Sequence, residues 1–246
     1  MQAIADNYAA NPSGEKQVIT SADGLNYSQM INKTLYGAVA YDQAFGYLSN
    51  YDESMPDNVD PKSEGGSYTV AEHKWDEAFG YFGARRDFLN PASVGDCIDL
   101  TSEHNFGWAS YATKRDNDTE NIAYRNGVMF KADIFNAFVA GRAIIHNEGT
   151  VDELAPHMAT IRTRFEQLCA ANVVHYVHSV LNAMGDLTDA SDAMSTESEN
   201  YNKYWSEMRG FIISLQYNVG EVSGGRTSAQ LDDIVAAVGT ATKYPS

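Results

Sequence analysis

Apolar residues recur along this chain at three- and four-residue steps rather than at alternate positions, a period that predicts helices almost throughout. Over 27–48, Ile31, Leu35, Ala38, Val39, Phe45 and Leu48 mark one helix. A polar stretch rich in Asp, Asn, Pro and Gly follows over 50–66, and then Thr69-Val70-Ala71-Glu72 has the form of a capping box. The helix it opens is expected to end near Phe82. Residues 84–118 keep no steady period and read as a long loop with room for one short helix; a loop of that length more often serves function than fills space.

A helix over about 119–146 carries Ile122, Val128, Met129, Ile134, Phe135, Phe138 and Val139. Thr150-Val151-Asp152-Glu153 is a second capping box, with Pro156 implying a kink or an irregular first turn. The helix beyond it places Met158, Ile161, Phe165 and Leu168 on one face and ends near Gly185. After a polar connection over 186–198, a helix is expected from Tyr201 to Tyr217, and Thr227-Ser228-Ala229-Gln230 caps a last short one. Strand and hairpin signals are few, so the fold class read from the pattern is all-α.

One phrase recurs. Tyr41-Asp42-Gln43-Ala44-Phe45-Gly46-Tyr47-Leu48 matches Trp75-Asp76-Glu77-Ala78-Phe79-Gly80-Tyr81-Phe82, and Trp205-Ser206-Glu207-Met208-Arg209-Gly210-Phe211-Ile212 is a weaker copy. Gly costs about 1 kcal/mol against Ala inside a helix, so its recurrence predicts a close approach of other backbone at the Gly face. At roughly 100° per residue, Trp75, Ala78, Phe79 and Phe82 fall on one side of the second copy, and His73, Asp76, Glu77 and Gly80 on the other. The first side suits a core; the second offers an imidazole and two carboxylates, a donor set that suits hard or borderline metals.

Composition narrows the partners. The 246 residues carry 17 basic and 33 acidic side chains, a net charge of −16 that disfavours nucleic acid and anionic membrane surfaces. A hydrophobic fraction of 43% with 11% aromatics excludes a disordered chain. No apolar run is long enough to span a membrane, and the N-terminus lacks the pattern of an export signal. Cys97 and Cys169 fit one bridge or two buried thiols equally well.

The stretch Glu72-His73-Lys74-Trp75-Asp76-Glu77-Ala78-Phe79-Gly80-Tyr81-Phe82-Gly83 resembles an uncharacterised bacterial domain family related to imelysin-like proteins. Residues 130–143 and the Trp205-Ser206-Glu207 phrase extend the resemblance over about 27–217. It implies one imelysin-like domain over 1–246, built as two tandem helical bundles over about 20–118 and 119–246. It also implies export to the periplasm or cell surface, with a lipid anchor in the full-length precursor, and a role in metal or iron acquisition beside a membrane-associated uptake partner. The family motif Gly-x-His-x-x-Glu is matched in part: His73 takes the His position, Ala71 replaces the Gly, and Asp76 replaces the Glu, with Glu77 next.

The leading expectation is thus a metal ion (iron, zinc or calcium) held in an interhelical cleft by His73, Asp76 and Glu77, with Glu207 or Asp42 supplementary. The alternative is a non-catalytic binding or scaffold module for a peptide, protein or small solute, its carboxylates paired to Arg142 in a structural ion pair. Metallopeptidase is the one enzyme class entertained, and it needs a water-bearing open metal site. His146 reads as a helix C-terminal cap and His104 as a loop residue with nothing to fix it; His175 and His178, at i, i+3, could share a metal, but His175 reads rather as a buried histidine satisfied by Asn172 or a backbone carbonyl. Residues 220–227 mimic a phosphate-binding loop but lack the preceding strand that such a loop needs.

Overall fold

The helical period is realised as helices. The computed structural model describes residues 20–21, 23–59, 67–89, 105–117, 127–185, 187, 198–218 and 228–239. They form α1 (Tyr27–Leu35), α2 (Asp42–Leu48), α3 (Val70–Phe82), α4 (Gly107–Asp116), α5 (Phe130–His146), α6 (Val151–Gly185), α7 (Glu199–Ser214) and α8 (Ser228–Val238). Among the described residues there is no strand, only an isolated bridge between Thr20 and Asn26. Nor is any described helix long and apolar enough to cross a membrane. Cys97, His104 and the loop-like phrase at 220–227 lie outside the described residues.

The single helix expected over 27–48 is broken by a π-helical turn, Tyr36–Tyr41. A hydroxyl from another helix accounts for it. Ser214 Oγ accepts the Gly37 N–H at 3.1 Å and donates to the Lys33 carbonyl at 2.7 Å. Those two groups are an i, i−4 pair that would bond directly in an α-helix, so the hydroxyl is spliced into the ladder and widens it. Gly37 permits the approach: a Cβ there would lie 2.5 Å from Ser214 Cα.

The ends of α3 follow its sequence. Glu72 N–H donates to Thr69 Oγ1 at 3.1 Å and Thr69 N–H donates to a Glu72 carboxylate oxygen at 2.9 Å, the reciprocal capping box. Gly83 closes the helix with φ +83°, a left-handed conformation that glycine adopts at little cost. The second box also forms, between Thr150 and Glu153, and α6 runs on through Pro156. The fifth helix starts later than expected, at Phe130 rather than near 119. Its first turn is satisfied from a distance: Asp116, the last residue of α4, accepts the N–H groups of Phe130 at 3.0 Å and Lys131 at 2.9 Å. A carboxylate at that place meets the orphan donors and the positive end of the helix dipole together.

Two compact units result, one from the described residues up to Gly37 and from Cys169 onward, the other from Ala38 through Leu168. Helix α6 contributes residues to both units. In the first unit α7 packs on α1, and Tyr201, Trp205, Met208 and Ile212 of α7 join Val180 and Ala183 of α6 in one cluster, flanked by Leu231, Ile234 and Val235 of α8. The buried Cys169 thiol donates there to the Phe211 carbonyl at 3.5 Å.

The second unit has an aromatic core. Tyr41, Trp108, Phe82 and Phe165 are essentially inaccessible, with Phe165 centred 5.9 Å from Tyr41, 6.2 Å from Trp108 and 5.5 Å from Phe82. The two close copies of the repeated phrase, on α2 and α3, lie against each other here, and their like-placed Tyr47 and Tyr81 stack at 6.0 Å. The third copy, on α7, belongs to the first unit.

The expected tight approach at the phrase's glycine occurs in one copy of three. At Gly210 a Cβ would lie 2.6 Å from Lys33 Cβ and 3.0 Å from the Met30 carbonyl oxygen, so α1 does cross closely there. At Gly46 and Gly80 no described atom comes within 4 Å of the added carbon.

Candidate functional site

The amphipathic face of α3 explains where a cleft forms. Trp75, Ala78 and Phe82 are buried, as the helical period requires, while His73, Asp76, Glu77 and Gly80 face outward. Helix α5 lies along the boundary between these two faces. Gly141 of α5 lets the Trp75 ring lie directly on its backbone, and Trp75 Nε1–H donates to the Phe138 carbonyl at 2.8 Å. Phe79 meets Phe135 at 5.9 Å and Phe138 at 5.4 Å, edge to face. Aromatic pairs in this geometry contribute about 0.5–1.5 kcal/mol beyond their burial.

Residues of the two helices and of the segments flanking α3 line a cleft of roughly 800 Å³. Its walls are Tyr68, Trp75 and Phe79 on one side and Phe135, Phe138, Val139 and Ala143 on the other, with Asp76, Arg86, Arg142 and His146 supplying polar groups. That volume lies within the range that takes a small molecule, and few polar groups in a mainly apolar wall is the usual character of such sites.

Glu72 organises the polar end. One carboxylate oxygen serves the capping box; the other accepts from Arg142 at 2.6 Å and faces His146 Nδ1 at 3.0 Å. Arg142 also donates through Nε to Asp76 at 3.0 Å. Burial raises the Glu72 carboxyl, but hydrogen bonds from His146, the Thr69 N–H and Arg142 outweigh it and hold the group below the ordinary carboxylate range. Only 6% of the Glu72 side chain is accessible, against 54% for Asp76, so the Glu72–Arg142 pair is the sheltered one. Beneath it Tyr51 packs edge-on against Trp75 at 5.6 Å and donates its hydroxyl to the Ala71 carbonyl; burial pushes that phenol upward, and the Asp76 charge adds to the shift.

The five residues expected to hold a metal are not gathered at one point. His73 stacks on Tyr68 at 5.3 Å and stands 3.5 Å from Glu77, one turn on. Asp76 turns instead toward Arg142. Asp42, its counterpart in the repeat, is exposed and accepts weakly from Gln43 at 3.5 Å. Glu207 belongs to the other unit, where it pairs with Lys33 at 3.4 Å. Among the described residues no three His, Cys, Asp or Glu side chains are placed to share an ion.

Arg142 does form the structural ion pair weighed as the alternative, with Asp76 and, more deeply, with Glu72. Two contributors were not legible. Glu72 read as a capping residue only, since the partners of its second oxygen lie about seventy positions away. Arg86 stands in a stretch without periodicity, and no local pattern marks it as lining a cleft.

The fold and cleft together define an all-α protein carrying an aromatic-walled interhelical cleft with a buttressed arginine at one end. The chain belongs to the family described as Domain of unknown function (DUF4856), which it matches over residues 2–236. No curated protein and no solved structure matches it.

Proposed function

We propose that this chain is a non-catalytic binding module that takes a small apolar solute in the cleft between α3 and α5. The observation that carries the reading is the cleft itself, roughly 800 Å³ with aromatic walls, at whose end Arg142 is held by two carboxylates. An arginine so committed is a structural brace rather than a free catalytic group. The walls offer rings to a flat ligand, and burying such a body against them is favourable by about 25 cal/mol per Å² of apolar area.

The test uses the neutral dye N-phenyl-1-naphthylamine, whose emission rises in apolar surroundings. The parent should bind it, and Val139→Trp, which fills the cleft from a position 52% exposed, should abolish binding with an unchanged far-UV circular dichroism spectrum. Binding that survives this change, and survives Ala143→Phe as well, would refute the reading.

A metal-binding role remains a second reading, supported by the His73–Glu77 pair one helical turn apart on the outer face of α3 and by the resemblance to imelysin-like proteins. Export to the periplasm or cell surface rests on that resemblance as well. Elemental analysis of unchelated protein decides the metal: content should fall in a His73→Ala, Glu77→Ala double variant, and equal content in variant and parent removes the reading.

A further inference from the structure

The cleft contains two arginines in different situations. Arg142 is neutralised by Glu72 and Asp76. Arg86 is exposed, lines the cleft, and has neither an ion pair nor a hydrogen bond among the described residues. Arg209, outside the cleft, likewise reaches no carboxylate among the described residues, although 33 acidic side chains outnumber 17 basic ones. Arg85, Arg142, Arg162 and Arg164 each reach a carboxylate. A guanidinium without one, set in a cavity wall, is a vacant anion partner.

The turn that bears Arg86 is secured on both sides. Arg85 grips Asp87 through two hydrogen bonds, Nε and Nη2 each at 3.0 Å from a carboxylate oxygen. Phe88 is 5% accessible and packs against Phe82 at 5.7 Å and Phe135 at 5.9 Å. Arg86 thus stands between a clamp at Arg85–Asp87 and an anchor at Phe88. Beside it the wall is apolar, formed by Phe79, Phe135 and Val139.

We infer that the cleft takes a small organic acid with a flat apolar body, its anionic group seated on Arg86 and its body against Phe79, Phe135 and Val139. This rests on the cleft being the binding site proposed above. Guanidinium is suited to the task because its planar fork matches a carboxylate, sulfonate or phosphate with two parallel donors. Aromatic rings flanking the site favour a planar body over a branched one.

The experiment compares N-phenyl-1-naphthylamine with 8-anilinonaphthalene-1-sulfonate, which differs from it by the sulfonate alone. Both should bind the parent, the sulfonate dye more tightly. Arg86→Gln should weaken the sulfonate dye by about tenfold, the low end for a hydrogen bond to a charged group, and leave the neutral dye within about twofold. Arg86→Lys should fall between, since it keeps the charge and loses the fork.

Equal affinity of the sulfonate dye for Arg86→Gln and parent, with both dyes still lost in Val139→Trp, would overturn the acid assignment and leave the cleft reading intact. If the neutral dye fails to bind the parent, or if neither Val139→Trp nor Ala143→Phe affects either dye, the cleft reading falls and the acid assignment with it. Arg86 is a surface residue of a turn secured by its neighbours, so the glutamine variant should fold as the parent does.

Discussion

Gly141→Ala tests whether the α3–α5 interface depends on close approach, because two known effects of the change have opposite signs. Helix propensity favours Ala over Gly by about 1 kcal/mol. Sterically, an added Cβ would lie 2.1 Å from Trp75 Cζ2, 2.6 Å from Cη2 and 2.8 Å from Cε2. Carbon atoms in contact sit about 3.5–4.0 Å apart, so the ring must retreat by more than an ångström. It has little freedom to do so. Trp75 is 1% accessible, its Nε1–H bonds the Phe138 carbonyl at 2.8 Å, and Tyr51 and Phe138 press edge-on against it at 5.6 and 5.8 Å.

Overpacking of this kind costs about 1–3 kcal/mol, and a buried indole N–H pulled from its acceptor costs about 1–3 kcal/mol more. The steric terms win. Net destabilisation should be about 1–5 kcal/mol after the propensity gain is subtracted. Urea unfolding followed by far-UV circular dichroism gives the number without relying on tryptophan emission, which the substitution itself disturbs. Gly80→Ala is the internal control. It has the same propensity gain and no described atom within 4 Å of the new carbon, so it should stabilise by up to about 1 kcal/mol. If Gly141→Ala matches or exceeds the parent in stability, or if the two alanine variants shift alike, the close-approach argument is wrong.

Ser214→Ala removes the hydroxyl spliced between Gly37 N–H and Lys33 C=O and should cost about 1–3 kcal/mol in urea unfolding, with faster amide exchange at Gly37; unchanged stability and exchange would show that the π turn holds without it. Glu72→Gln keeps the capping box, since Gln serves at that position, and removes both the charge and the acceptor oxygen that Arg142 and His146 face, an amide NH2 taking its place. Because the Glu72 carboxyl lies below its ordinary value of 4.5 in the folded state, its charge stabilises fully above the unfolded-state pKa, and that contribution disappears as pH falls through the folded one. The parent should therefore exceed Glu72→Gln in urea stability at pH 7, with the gap closing below about pH 4.5; a gap that stays constant down to pH 3 would assign the loss to shape rather than charge.

What the sequence made legible was local or periodic. The wheel of α3 separated Trp75, Ala78 and Phe82 from His73, Asp76 and Glu77 correctly because 3.6-residue periodicity is a property of the helix alone. Both capping boxes formed for the same reason, each being complete within four residues. The break at 36–41 could not be read, because its cause is a side chain on α7 about 180 positions away. The late start of α5 is similar: its first donors go to Asp116, a residue that in the sequence looks like part of a solvated acidic loop.

The repeated phrase misled in a way that has a physical reason. Matching residues implies matching helix faces, but not matching neighbours. Helix α5 packs against α3, so Asp76 finds Arg142; Asp42 at the like position of α2 finds only Gln43, and Glu207 on α7 meets Lys33 of α1. The phrase records how an aromatic helix packs, and the identity of the acid's partner is set by whichever helix lies alongside.

The net charge of −16 opposes the approach of an acid, since a negative protein repels an anion at long range. At physiological ionic strength that field decays over about 8 Å, so carboxylates beyond the cleft are largely screened while a group in contact with Arg86 is not. Among the described residues the nearby acids are already engaged: Glu72 and Asp76 bind Arg142, and Asp87 is clamped by Arg85. A carboxylate satisfied by a guanidinium presents far less field than a free one. The surrounding charge therefore slows the approach of an acid without cancelling the contact that holds it. It also sharpens selection, because an anion without an apolar body meets the repulsion and gains nothing from Phe79, Phe135 and Val139 to offset it.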